Sequence, residues 1–130
     1  MLETLSLAKP RRFVITFGNV MIREYEETDW KEVCRVFDMS KPYELASGGI
    51  EASFVPLAKD KARMAQFSKS TVFVWEENQA LGFAGFEGAY IGWLFVDPSA
   101  FRKGIGRDLL QYLVAQIRRA LKTTTPKRRF

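Results

Sequence analysis

Between Leu94 and Arg107 the chain gathers residue types suited to holding a polyanion. Leu94-Phe95-Val96 reads as an apolar strand that runs through Asp97-Pro98 into the basic, double-glycine segment Phe101-Arg102-Lys103-Gly104-Ile105-Gly106-Arg107. Glycines let the backbone approach a ligand closely, and the first N–H groups of a helix lack an intrahelical partner. An anion satisfies those donors with help from the helix dipole. Arg102, Lys103 and Arg107 place positive charge beside them, and the chemistry implied is the binding of a pyrophosphate. A Gly-x-Gly alone carries little information; a strand before it and a long amphipathic helix after it supply the context.

The elements that must position this turn follow from periodicity. Phe13–Phe17 and Val20–Tyr25 are β-branched and aromatic runs separated by Gly18-Asn19, which predicts a hairpin. Trp30, Val33, Cys34 and Phe37 recur at helical spacing, and Asp29 with Glu32 three residues later predicts a capped helix start near Asp29. Lys41-Pro42 and Ser47-Gly48-Gly49 predict an irregular, mobile connection from Ser40 to about Ala52. A second helix is predicted from about Ser53 to Phe67, with Phe54, Leu57, Ala58, Ala62 and Ala65 as its apolar face. Thr71–Trp75, Ala80–Phe86 and Tyr90–Val96 read as three further strands, the first two joined by a polar turn over Glu76–Gln79. Gly92 is placed to allow a bulge in the third. From Ile105 a wide stripe of Leu109, Leu110, Leu113, Val114, Ile117 and Leu121 predicts a helix packed on the sheet, stopped by Thr123-Thr124-Thr125-Pro126. The order of elements indicates a mixed α/β layer fold around one sheet: a single domain over residues 1–122, with a basic tail over 123–130.

Composition removes whole classes of chemistry. At 130 residues and 47% hydrophobic, the chain is long enough for one real core. It contains no histidine and one cysteine, so a His-ligated metal, an imidazole base and an internal disulfide are excluded. Cys34 shares the stripe of Trp30, Val33 and Phe37 and is read as core packing rather than a nucleophile. Six basic residues and no acid lie from Arg118 onward, leaving the remainder of this +5 chain nearly neutral. The basicity lives in the tail, which is read as a solvated end in preference to a nucleic-acid arm. No apolar run has the length of a membrane span and Met1–Arg12 lacks the pattern of a secretory signal, so a cytoplasmic protein is expected.

Over roughly Val20–Leu121 the order of elements, together with the Leu94–Arg107 segment, resembles the GNAT superfamily, the Gcn5-related N-acetyltransferases. The resemblance implies an acyl-CoA N-acyltransferase fold and acetyl coenzyme A as cosubstrate, with no metal. It implies as acceptor a small-molecule or peptide amine. In that family the fourth strand offers backbone groups to the pantetheine arm, and a turn of pattern (Gln or Arg)-x-x-Gly-x-(Gly or Ala) binds the pyrophosphate. By that resemblance Leu94, Phe95 and Val96 fall on the strand. Phe101–Gly106 falls on the turn, so that Arg102, Lys103, Gly104, Ile105, Gly106 and the adjoining Arg107 become cofactor-binding candidates. Phe101 departs from the pattern, standing where Gln or Arg is usual.

The resemblance also marks what this sequence lacks. Family members usually continue after this helix with a strand, a fourth helix and a final strand pair, and a tyrosine on that helix often protonates the departing thiolate. No residue here matches it, and the fold expected lacks the final strands and fourth helix. Some relatives carry a catalytic glutamate four residues before the Leu94 position; here that residue is Tyr90, the candidate catalytic residue. Glu87, Glu24 and Tyr25 are read as rim residues, and Trp75, Trp93 and Phe95 as core. The last strand would be left as an apolar edge, to be covered by another copy, by an element exchanged between protomers or by the extra N-terminal strand Phe13–Phe17; a homodimer that completes the sheet is expected. The function expected is an acetyl-CoA-dependent N-acetyltransferase; the alternative is a non-catalytic module acting through oligomerisation or partner binding.

Overall fold

The computed structural model describes residues 15–47 and 54–124. Five strands form one sheet in the order β1 (Ile15–Phe17), β2 (Val20–Glu24), β3 (Thr71–Glu77), β4 (Gln79–Glu87) and β5 (Tyr90–Val96). Every neighbouring pair is antiparallel. Three of the pairs are hairpins with short connections, where Gly18 at φ +62°, Asn78 at +70° and Gly88 at +63° each allow the chain to reverse within a residue or two, while β2 reaches β3 through residues 25–70. Phe13 and Val14, predicted to begin β1, lie outside the described residues, as do residues 125–130 of the expected basic tail.

The alternation of side chains splits the core into two layers. One face of the sheet, with Ile22, Phe73, Trp75, Ala84 and Phe86, packs against Ile105, Leu109, Leu113 and Ile117 of α3 (Ile105–Thr124). The other, with Val72, Val74, Phe83, Trp93 and Phe95, packs against Val33, Val36 and Phe37 of α1 (Trp30–Ser47) and Phe67 of α2 (Lys61–Ser68). The result is a helix layer on each side of an antiparallel sheet. Cys34 is a half-buried part of the α1 layer, and Trp75, Trp93 and Phe95 are buried, as read from the sequence.

Four local predictions are corrected. The chain from Ser40 is not an irregular connection: α1 continues through Pro42 to Ser47. An interior proline removes one helical hydrogen bond and crowds the carbonyl four residues earlier, but tertiary contacts on both sides offset that loss. Ser40 is buried, Lys41 Nζ stands 5.7 Å from the centre of the Phe95 ring, and Tyr43 packs edge-on to Phe101 at 5.6 Å. Residues 48–53 lie outside the described part of the chain.

The capping pair also differs. A 3-10 turn over Glu27–Asp29 precedes α1, and the reciprocal box joins Glu26 with Asp29, whose Oδ2 accepts from the Glu26 N–H at 2.8 Å. Glu32 instead accepts from Arg35 Nε. Finally, the second helix is shorter than predicted. A 3-10 turn at Leu57–Lys59 comes first, Asp60 then caps α2 by accepting from the Arg63 N–H, and Ala58, Ala62 and Ala65 are exposed. Leu57 and Phe67 supply the burial instead. The strands β3 and β4 extend into the predicted Glu76–Gln79 turn, leaving only Asn78 between them.

Candidate functional site

The site begins at β5, which among the described residues is an edge strand hydrogen-bonded to β4. In the pairing with β4, Trp93 faces Gly85 and Ile91 faces Phe86, so Gly92 is an extra residue on β5 and makes the expected bulge. A Cβ at Gly92 would lie 3.0 Å from Gln66 Nε2 on α2 and 3.1 Å from the Tyr90 ring, so the bulge brings backbone close to other groups. Beyond it Leu94, Phe95 and Val96 lead into a 3-10 turn at Pro98–Ala100.

Asp97 anchors that passage. Its carboxylate accepts from the Ser99 N–H at 2.9 Å and from Arg35 Nη1 of α1 at 2.6 Å, while Arg35 Nη2 donates to the Ala80 carbonyl at 2.7 Å. Burial would push this carboxyl up, but the Arg35 guanidinium and the Ser99 donors prevail and hold it below the usual aspartate range. Asp97 therefore stays ionised and ties α1, β4 and the turn together.

The turn itself has the shape an anion needs. Phe101 is extended, Arg102 has φ +69° and Gly104 φ +82°, so the chain turns sharply through left-handed backbone just ahead of α3. The first helical bond of α3 runs from the Asp108 N–H to the Gly104 carbonyl at 3.0 Å, so the amides of Ile105, Gly106 and Arg107 precede it and point out of the helix end. The Arg107 side chain folds back over the turn, its Nη2 2.8 Å from where a Gly104 Cβ would lie. Arg102 and Lys103 are exposed beside it. Asp108 sits 3.5 Å from Arg107 and partly balances its charge.

A cleft of about 390 Å³ joins strand edge and turn. It is lined by Leu94, Phe95, Val96, Arg102, Gly104, Ile105 and Gly106, which are seven of the nine residues singled out from the sequence for the cofactor. Lys103 and Arg107 stand at the turn outside that lining. Tyr90 is not part of it either: four residues before Leu94, about 13 Å along the strand, it is two-thirds exposed. Glu87 is exposed at the end of β4. Ser40 and Tyr43 complete the opposite wall with Ala100 and Phe101. Sequence reading missed Ser40 and Tyr43 because Pro42 hid the helix that carries them; Trp30, Val33, Phe37 and Ser40 at helical spacing were the available signal.

The donor set fits a phosphate-bearing ligand: helix-start amides, a left-handed turn and basic side chains meet at one end of a cleft whose other end is apolar strand. Among the described residues no group of acids, cysteines or histidines is arranged to hold a metal ion. No helix among them is long and apolar enough to cross a membrane.

The layered α/β fold, with a bulged strand running into a phosphate-type turn, has counterparts among known proteins. Residues 68–130 match the family described as an acetyltransferase (GNAT) domain. The chain is 39% identical over 61 residues to a peptidyl-lysine N-acetyltransferase of Escherichia coli strain K12, a match covering 45% of this chain and 39% of that protein. The matched part is thus well under half of the curated relative's length. A GCN5-related N-acetyltransferase from Rhodopseudomonas palustris superposes with a TM-score of 0.65 at 20% identity, over 82% of this chain and 70% of its own. A GNAT-family protein from Desulfovibrio desulfuricans gives 0.54 at 22% identity, over 78% and 67% respectively. These two show the fold, and the sequence match to the acetyltransferase (GNAT) domain falls on its C-terminal half, residues 68–130.

Proposed function

We propose that the protein binds acetyl coenzyme A in the cleft between the β5 edge and the start of α3 and transfers the acetyl group to an amine. The observation that carries this reading is that one cleft unites the strand segment Leu94–Val96 with the amides and basic residues of the turn. Backbone groups of Leu94, Phe95 and Val96 on an otherwise unpaired edge suit the amides of the pantetheine arm. Gly104, Ile105, Gly106 and Arg107 offer main-chain donors to the pyrophosphate, with Arg102, Lys103 and Arg107 adding charge.

In the reaction the neutral amine nitrogen attacks the thioester carbonyl carbon, a C–N bond forms, the C–S bond breaks, and the amine's proton is lost as the thiolate is protonated. Edge N–H groups of β5 are the donors this reading assigns to the developing oxyanion. Tyr90 is the candidate for proton handling, and a Tyr90→Phe variant with unchanged turnover removes it from that role. The acceptor is a small-molecule or peptide amine. Because the Escherichia coli relative is named for peptidyl-lysine, a lysine peptide is the first acceptor to assay.

A second reading rests on the exposed β5 edge: a module that pairs with another copy or a partner without turnover. In either reading a homodimer completes the sheet. Thermal unfolding with and without coenzyme A separates the two, since a ligand of the native state raises stability by mass action. Acetyl-CoA binding predicts a rise in Tm at millimolar ligand that disappears in Gly104→Asp, which sets a negative charge into the turn. An unshifted Tm in the wild-type chain overturns the cofactor reading.

A further inference from the structure

A second cleft, of about 380 Å³, lies on the α1–α2 side of the sheet. It is at the opposite end from the α3 turn: its strand residue Val72 is level with Gly85 and Trp93, whereas the first cleft is level with Gly82 and Val96. Three rings from three elements line it. Tyr25 follows β2, Trp30 opens α1 and Phe67 closes α2; Phe67 meets Tyr25 edge-on at 5.1 Å and Trp30 at 5.3 Å. Tyr25 and Trp30 are half-buried, so each keeps surface open to the cleft.

The electrostatics of this cleft have one sign. Among the described residues Glu27 is the only charged one that lines it, and it is exposed in the turn before α1. Neighbouring Asp29 is engaged by Arg23 at 2.8 Å, and Arg23 is also held by Glu76 at 2.8 Å, so that buried cation is matched by two carboxylates. Burial, then the charges of Glu27 and Asp29, push the Tyr25 hydroxyl up to about 12, the direction a negative local potential gives. Arg63 of α2 is turned elsewhere, to Asp60 at 3.2 Å and over the Phe37 ring. Lys31 and Lys69 are exposed neighbours in sequence but do not line the cleft.

We propose that this second cleft binds an alkylammonium ion, its carbon chain against Met64, Phe67 and Val72 and its charge shared by the Tyr25 and Trp30 rings and Glu27. Aromatic faces attract cations through their quadrupole, an adjoining carboxylate adds to that attraction, and the cleft is large enough for a small ligand. A neutral ligand of equal length gains the apolar contact alone. The site uses none of the residues of the α3 turn, so it stands or falls independently of coenzyme binding.

The test is a titration of the full chain with n-butylammonium and with tetramethylammonium, following the indole N–H resonance of Trp30, assigned by its loss in Trp30→Phe. Saturable shifts are expected for both cations, with n-butanol binding at least about tenfold more weakly. Glu27→Gln, an exposed isosteric change that leaves the fold intact, weakens cation binding several-fold, and Gly104→Asp leaves it unchanged. The proposal is overturned if neither cation gives a saturable shift, if n-butanol binds as well as n-butylammonium, or if Glu27→Gln has no effect.

Discussion

Arg102 occupies a backbone conformation that costs a non-glycine residue about 1–2 kcal/mol, and it does so at the mouth of the candidate coenzyme cleft. Strain held at such a place is offset elsewhere in the structure and signals a constraint beyond packing. Arg102→Gly removes the crowding but adds unfolded-state entropy, so the expected net is a stability gain of about 0.5 kcal/mol in urea unfolding. The same variant loses a guanidinium beside the turn, and its coenzyme A affinity by calorimetry falls on the order of tenfold. Stability and affinity thus move in opposite directions, which a residue serving only the fold would not give.

Asp97 belongs to the same scale. Its folded-state pKa is depressed, so the unfolded chain binds more protons than the native one in acid. The stability it contributes is present above the ordinary aspartate pKa of about 3.9 and is lost as pH falls through the lower folded value. Replacing it by Asn therefore lowers the urea midpoint at pH 6, and the gap from wild type narrows progressively below pH 4. A gap independent of pH would show that the Arg35 pairing is not what stabilises the turn.

At the scale of elements, the decisive contact is among β4, β5 and α3. Gly82 lies where a Cβ would be 3.1 Å from the Phe95 carbonyl, 3.2 Å from Leu109 and 3.3 Å from Ile105. The first is backbone of the site strand, so relief there shifts the cleft wall, while the other two are methyl carbons of the helix that packs behind it. Gly82→Ala is expected to cost about 1–3 kcal/mol by overpacking, read as a lower urea midpoint, and to weaken coenzyme A binding although residue 82 touches no ligand. Unaltered affinity at reduced stability would mean that the turn is held independently of this packing.

For the whole molecule the decisive feature is the β5 edge, where Tyr90 and Leu94 expose apolar surface along a strand that, among the described residues, pairs only with β4. A completed sheet between two copies predicts dimers in sedimentation velocity at micromolar concentration. Leu94→Lys, which places a charge on the edge, shifts the population to monomer. A wild-type chain that remains monomeric across that range counts against pairing through β5.

The sequence by itself determined the parts that depend on local rules. Short β-branched and aromatic runs bounded by turn residues gave β3, β4 and β5, the stripe from Ile105 gave α3, and Gly104 with Gly106 marked the turn, because strand propensity, helical periodicity and left-handed backbone preferences are written in consecutive residues. Only the tertiary structure decided the rest. Pro42 reads locally as a break, yet α1 runs past it because Lys41 and Tyr43 find ring partners on β5 and the turn, more than fifty residues away. That continuation delivers Ser40 and Tyr43 to the cleft. Likewise Asp97 gave no sign in the sequence that Arg35 would reach it from α1. Contacts between residues far apart in the chain carry no periodic signature, and they are what turn a glycine-rich segment into a walled site.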